Sequence, residues 1–181
     1  GYTAYISIHR LTKIQSLSAV LDGQWRATGG TRIKRYADGK LKALLEALEL
    51  SKEMSYENAG AGMKIGGSKS VIYVDKIDPR PSGPDTEARR KILVSYAKAV
   101  EEIGKSIGGG ILTGQDQNIS NEDVDLMFQH APTSMVPHAA KQWSRTPAEP
   151  TAVGVVAAIE AAIPFAFPKN PVLKGKVVAV Q

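Results

Sequence analysis

The hydrophobic period changes several times along the chain, and each change marks an element. The opening "YTAYISI" has the β-branched and aromatic content of a strand. Apolar residues recur in "SAVLDGQW", which turns at Asp22-Gly23. From Asp38 to about Glu57, Leu41, Leu44, Leu45 and Leu48 fall at helical spacing and predict an amphipathic helix packed on a sheet. A glycine-rich loop follows, leading into a strand at Val71, Ile72, Tyr73 and Val74. The prolines of "DKIDPRPSGPD" make a surface connection. A second helix is predicted over roughly 85–106, with Ile92, Leu93, Tyr96, Val100 and Ile103 on one face. "GGGILTGQD" then reads as a short buried strand that delivers Asp116 into a loop. Ser120, with Asp123 three residues on, resembles a capping box opening a helix over 121–130, although the usual partner is Glu or Gln. An irregular segment over 131–149 precedes Pro150, which opens the small-residue helix "PTAVGVVAAIEAAI", and "KGKVVAVQ" begins a last strand.

With 181 residues, 43% of them hydrophobic, the chain is long enough for one well-filled core, and one domain is the expectation, with the start of another. No stretch approaches 18 uncharged apolar residues, and "GYTAYISIHR" lacks the basic-then-apolar layout of a signal peptide. The absence of cysteine rules out disulfides, thiolate metal sites and a cysteine nucleophile, and points to a reducing, cytoplasmic compartment. The formal charge of +5, and the basic run from Thr31 to Lys42, would suit an anionic partner. Basic residues are spread among 18 acidic ones, however, and only 6% of residues are aromatic, so the pattern that stacks single strands is missing. Neither nucleic acid nor a membrane is expected as partner.

The chemistry concentrates in "GAGMKIGGSKSVIYVD", residues 60–75. Gly62 and Gly67 have the spacing of a phosphate loop, but Ser68 stands where its lysine belongs, one residue before Lys69. The flanks are reversed as well, since such a loop needs a strand before it and a helix after it. His130 and His138 have no carboxylate at metal-ligand spacing between them, so no metal site is expected. His9 is most simply structural, and Ser68 lies in no nucleophile-elbow pattern.

"GGTR" (Gly29 to Arg32), "LELSKEMSYENAGAGMKIGGSKSVI" (Leu48 to Ile72), "TGQD" (Thr113 to Asp116), "PTAVGV" (Pro150 to Val155) and "LKGKVVAVQ" (Leu173 to Gln181) stand in the order found in glutamate/leucine/phenylalanine/valine dehydrogenases. Across nearly the whole chain the sequence resembles that family, its leucine and phenylalanine members above all. The resemblance implies an α/β fold, a mixed sheet flanked by helices. Residues 1–149 would be a substrate-binding and oligomerisation domain, 150–175 a hinge helix and linker, and 176–181 the first strand of a Rossmann domain that grips NAD or NADP outside this chain. The partners implied are an amino acid, keto acid or amine substrate and further copies of the same chain.

By the same resemblance Lys69 is a general base and Asp116 a proton relay in oxidative deamination. A solvated lysine is protonated at neutral pH, so such a base needs burial. Without the resemblance, the same two residues read as an ordinary surface ion pair. Gly29, Gly30, Gly66 and Gly67 would shape the substrate site by omitting a Cβ. Thr151 matches a threonine near the nicotinamide, and reads equally well as a helix cap. Three positions depart from the family. Glu57 replaces the lysine that binds the substrate α-carboxylate, Gln115 stands where a glutamate commonly precedes the aspartate, and Thr28 replaces an apolar pocket residue. Three readings of Glu57 follow. The substrate carboxylate is held by another group such as Arg32 or Lys64, or is absent; the chain is an inactive homologue kept for assembly or partner binding; or Glu57 points away into an ion pair on its helix.

Overall fold

The computed structural model describes residues 1–13, 24–135 and 148–179. They fall into two compact units, one up to residue 135 and the other from residue 148. The first unit runs β1 (Tyr2–Ile8), β2 (Thr12–Lys13), β3 (Trp25–Lys34), α1 (Gly39–Gly60), β4 (Gly66–Val74), α2 (Thr86–Ser106), β5 (Gly109–Gln115) and α3 (Asn121–Phe128).

The five strands form one mixed sheet. β3 is central, parallel to β4 on one side and to β5 on the other, while β1 runs antiparallel along the outer edge of β4. The two-residue β2 pairs with the start of β3. The parallel pairs need crossovers, which α1 and α2 provide. Alternation along β4 sends its side chains to two faces. Ile72 and Val74 join Leu93, Tyr96, Val100 and Met127 in the larger core, beneath α2 and α3. Val71 and Tyr73 pack with Ala43, Ala47 and Tyr36 beneath α1. Each fully buried branched side chain contributes about 1.5–3 kcal/mol, so the two layers hold the sheet from both sides.

Several expected elements differ from the structure. The central strand β3 covers residues that the apolar pattern leaves unassigned, and "SAVLDG" lies outside the described residues. The expected glycine-rich loop ends earlier than predicted. Gly66 to Ser70 belong to β4, and Gly66 and Gly67 pair with Ala27 and Thr28 of β3. The capping box forms as a complete pair: Asp123 N–H donates to Ser120 Oγ at 3.3 Å, and Ser120 N–H to Asp123 Oδ2 at 2.7 Å.

The second unit contains α4 (Ala148–Ala166), which carries Pro150 in its first turn and Pro164 near its end. Residues 149–166 are long and apolar enough to cross a membrane, with mean hydropathy 1.3. Glu149 and Glu160 interrupt the run, which is therefore not the uncharged span excluded from the sequence. Residues 176–179, the described part of the expected last strand, have no regular secondary structure. His138 lies outside the described residues, and no metal-binding cluster of His, Asp or Glu occurs among those described.

Candidate functional site

Lys69 lies within strand β4, between Ser7 of β1 and the middle of β3, and is only 7% exposed. As an odd-numbered β4 residue it shares the α1 face with Val71 and Tyr73. Its ammonium pairs with Asp116 Oδ2. Asp116 comes from the residue immediately after β5, on the far side of β3, so the pair spans the central strand. Of the two ways to read these residues, an exposed surface ion pair is thus not what the fold builds.

Gly30 explains how the carboxylate crosses β3. A Cβ there would lie 2.8 Å from the Gln115 carbonyl oxygen and 2.9 Å from Asp116 Cβ, closer than real Cβ atoms approach. The two-residue alternation of β3 also breaks here. Gly29 faces Met54 of α1, whereas Thr31 bonds the Tyr96 hydroxyl of α2 at 2.7 Å.

At Gly29, Gly66 and Gly67 the space that a Cβ needs is filled by the protein's own backbone: Ser68 O, Arg10 O, and Ser51 O with Ser55 N, respectively. Packing alone therefore accounts for glycine at these three positions. At Gly67 the consequence is close seating of α1 on β4. Gly67 N–H donates to Ser55 Oγ at 2.9 Å, Asn58 Nδ2 to the Gly66 carbonyl at 3.2 Å, and the Ser7 and Ser51 hydroxyls bond at 2.7 Å.

Arg32 completes the pair. Its Nε and Nη2 donate to Asp116 Oδ2 at 3.2 and 3.0 Å, and Nη2 reaches Oδ1 at 3.1 Å. Its Nη1 pairs with Glu46 of α1, and Lys34 Nζ lies 3.8 Å from the other Glu46 oxygen. Burial works to raise the Asp116 carboxyl, but the Lys69 hydrogen bond and the Lys69 and Arg32 charges outweigh it and hold it below the usual carboxylate range. Glu46 is lowered in the same way: burial opposes, and the hydrogen bond from Arg32, with the nearby Tyr36 phenol and the Lys34 and Arg32 charges, prevails. The site is therefore a row of alternating charges on the α1 face, with both carboxylates ionised at neutral pH.

The other expected residues are placed as follows. Thr28 is half-buried on β3 beside Gly67. Gln115 turns its amide to Asn121 at the start of α3. Glu57 and Lys64 are exposed, and Glu57 makes no ion pair among the described residues. Thr151 stands exposed in the first turn of α4, in the second unit. His9 Nδ1 lies 2.9 Å from Ser55 Oγ. Glu46 is the site residue that sequence reasoning misses. Its signal is a carboxylate within "LLEAL", one position before buried Ala47, where an amphipathic helix of this kind would place an apolar residue.

The buried lysine–carboxylate pair is held in a mixed α/β sheet with parallel strands at its centre and helices on both faces. Residues 23–133 match the family model for the Glu/Leu/Phe/Val dehydrogenase dimerisation domain, and the chain belongs to that family. It is 34% identical to leucine dehydrogenase of Bacillus cereus over an alignment that takes in all of this chain and 43% of that enzyme. It is 35% identical to L-tryptophan dehydrogenase of Nostoc punctiforme over 86% of this chain and 39% of the relative. The crystal structure of the Nostoc enzyme superposes with a TM-score of 0.57 at 29% identity, covering 96% of this chain and 41% of that one. A hetero-hexameric glutamate dehydrogenase from Thermus thermophilus shares the fold, with a TM-score of 0.59 at 13% identity over 91% of this chain and 41% of that one. The chain thus spans about two fifths of the length of these relatives.

Proposed function

We propose that this chain is the substrate-binding and self-associating part of an NAD(P)-dependent enzyme that oxidatively deaminates an amino acid or related amine, and runs the reverse amination. The observation that carries this reading is the buried Lys69–Asp116 pair, held across the central strand of a sheet that belongs to a dehydrogenase family. A dinucleotide-binding domain beginning near residue 176, with residues 150–175 as hinge, completes the proposal. The compartment is the cytoplasm.

The donor set suits this chemistry. A lysine and a carboxylate in contact can pass a proton between them, and the bound nicotinamide supplies the acceptor for the hydride that leaves the amine-bearing carbon. Neutral Lys69 takes the proton of the water that adds to the resulting iminium carbon. Asp116 carries a proton to the departing nitrogen, and the ion pair observed is the state in which Lys69 holds its proton. Thr28, Gly30 and Gln115 would border the substrate, with Gly29, Gly66 and Gly67 seating the strands and α1 around it, and Thr151 would border the nicotinamide.

Arg32 is already shared between Asp116 and Glu46, so it is poorly placed to hold a substrate carboxylate. The substrate class that fits Glu57 is an amine without an α-carboxylate, or an amino acid with a second cationic group.

The deciding experiment is Lys69→Ala in the whole protein, with turnover read by nicotinamide absorbance and cofactor binding by fluorescence. We expect kcat to fall on the order of 10²–10⁴-fold, the span of general acid–base catalysis, with cofactor affinity unchanged. Equal turnover by the variant would reduce the chain to a non-catalytic assembly module.

A further inference from the structure

Glu46 has no task in the reaction just described, yet it is built into the site. It projects from the first half of α1 onto Arg32 Nη1, while the other edge of the same guanidinium, Nε and Nη2, lies on Asp116. The side chains of Lys69, Asp116, Arg32 and Glu46 are between 8% and 19% exposed, so solvent screens them weakly. Among the described residues, the other groups that meet Glu46 are Lys34 at 3.8 Å and the Tyr36 phenol, whose own titration is raised by burial and by this carboxylate. Tyr73 lies tilted against Tyr36 with ring centroids 6.4 Å apart.

Asp116 is flanked by two cations. If the Arg32 charge acted on it in full, together with that of Lys69, the carboxylate would be stabilised as an anion far beyond what a proton relay tolerates. An opposing charge on the outer edge of Arg32 offsets part of that field. It also stops the guanidinium from rotating out of its edge-on contact with Asp116. From this geometry we infer that Glu46 is a positioning residue: by neutralising Arg32 and fixing its orientation, it keeps the Asp116 carboxylate able to accept a proton during turnover. The inference rests on the proposed catalytic reading and adds to it a residue that touches neither substrate nor cofactor.

Two variants of the whole protein test it. Glu46→Gln retains an oxygen for Arg32 and removes the charge; Glu46→Leu removes both. For Glu46→Gln the acidic limb of the kcat/KM profile should move to lower pH by about half a unit to one unit, as expected for a charge lost several ångströms away in a partly buried site. The ¹³C carboxyl titration of Asp116, assigned by its loss in Asp116→Asn, should move in the same direction. Glu46→Leu should show both shifts and, with Arg32 freed to rotate, a kcat at least about tenfold lower. If native protein turns over and Lys69→Ala does not, yet neither the limb nor the Asp116 resonance moves in either variant, the inference on Glu46 falls while the catalytic reading stands. If the native protein moves no hydride, both fall.

Discussion

Glu57 stands on the same edge of α1 as Glu46, eleven residues further on and within about 20° of its azimuth after three helical turns. Since Glu46 meets Arg32 at the charged row, this edge of the helix is the one that borders the site, and Glu57 marks its far end without an ion-pair partner among the described residues. Of the three readings of Glu57 from sequence, an ion pair on its own helix finds no partner among the described residues. We expect Glu57→Lys to raise kcat/KM for common α-amino acids relative to their decarboxylated amines by on the order of tenfold to a hundredfold, because a repelling charge becomes an attracting one. The check is nicotinamide absorbance for both variants across paired substrates. An unchanged ratio would remove Glu57 from specificity.

Stability should fall in acid, and the sign follows from the carboxylates. Asp116 and Asp123 both titrate below their ordinary range; burial opposes this, and hydrogen bonds from Lys69 and Arg89, respectively, prevail. A depressed carboxylate contributes stability that is fully present above its unfolded value, near pH 4, and is lost as pH falls through the lower folded value. Arg89 is 2% exposed and grips both Asp123 oxygens. Asp123→Asn should therefore cost about 3–5 kcal/mol at neutral pH, the usual result of stranding one partner of a buried pair. It should also flatten the acid decline, as measured by urea unfolding between pH 3 and 7.

Gly67→Ala should loosen α1 from the sheet. The added Cβ overlaps Ser51 O and Ser55 N, both helix backbone, which cannot move as a flexible side-chain tip would. A loss of about 1–3 kcal/mol or more is expected from overpacking of this kind. Thermal unfolding would show it, and Gly62→Ala makes the contrast: nothing crowds its Cβ, and only the positive φ of 73° is strained. Equal effects from the two substitutions would refute the packing argument.

The outer side of α1 bears Leu41, Leu45 and Leu48 at spacings of four and three, with Tyr56 two turns further on, all of them exposed. The helix lies wholly within the span matching the dimerisation domain. We expect this stripe to meet a second copy of the chain, and Leu45→Glu combined with Leu48→Glu to lower the sedimentation mass of the whole protein while leaving its circular dichroism intact. An undiminished mass would place the self-association elsewhere.

Local periodicity carried much of the fold. The spacing of leucines over 41–48 marks α1 as a helix, but the stripe it buries on the sheet is Ala43, Ala47 and Ser51, while Leu41, Leu45 and Leu48 stay exposed; Ile92, Leu93, Tyr96 and Val100 mark α2 and are buried as its spacing predicts. The Ser120–Asp123 box was legible because capping is settled within four residues. The strand β3 was not. Two glycines and three basic residues in its sequence hide the alternation, and it is a strand because β4 and β5 supply hydrogen-bond partners on both sides. The same pairing draws Gly66 and Gly67 out of the expected loop and into β4.

Lys69 and Asp116 stood out in the sequence through the motifs around them, and so did the family to which the chain belongs. What the sequence by itself determined was the identity of these groups, the helices that flank them and the order of the motifs, since all of these depend on neighbours a few residues apart. Only the tertiary structure decided that Lys69 lies within a strand, that Gly30 clears the path for Asp116 and that Glu46 balances Arg32. Each of these contacts joins residues 14 or more positions apart. Such contacts arise when parallel strands close around their crossover helices, and no local pattern encodes which charge then faces which.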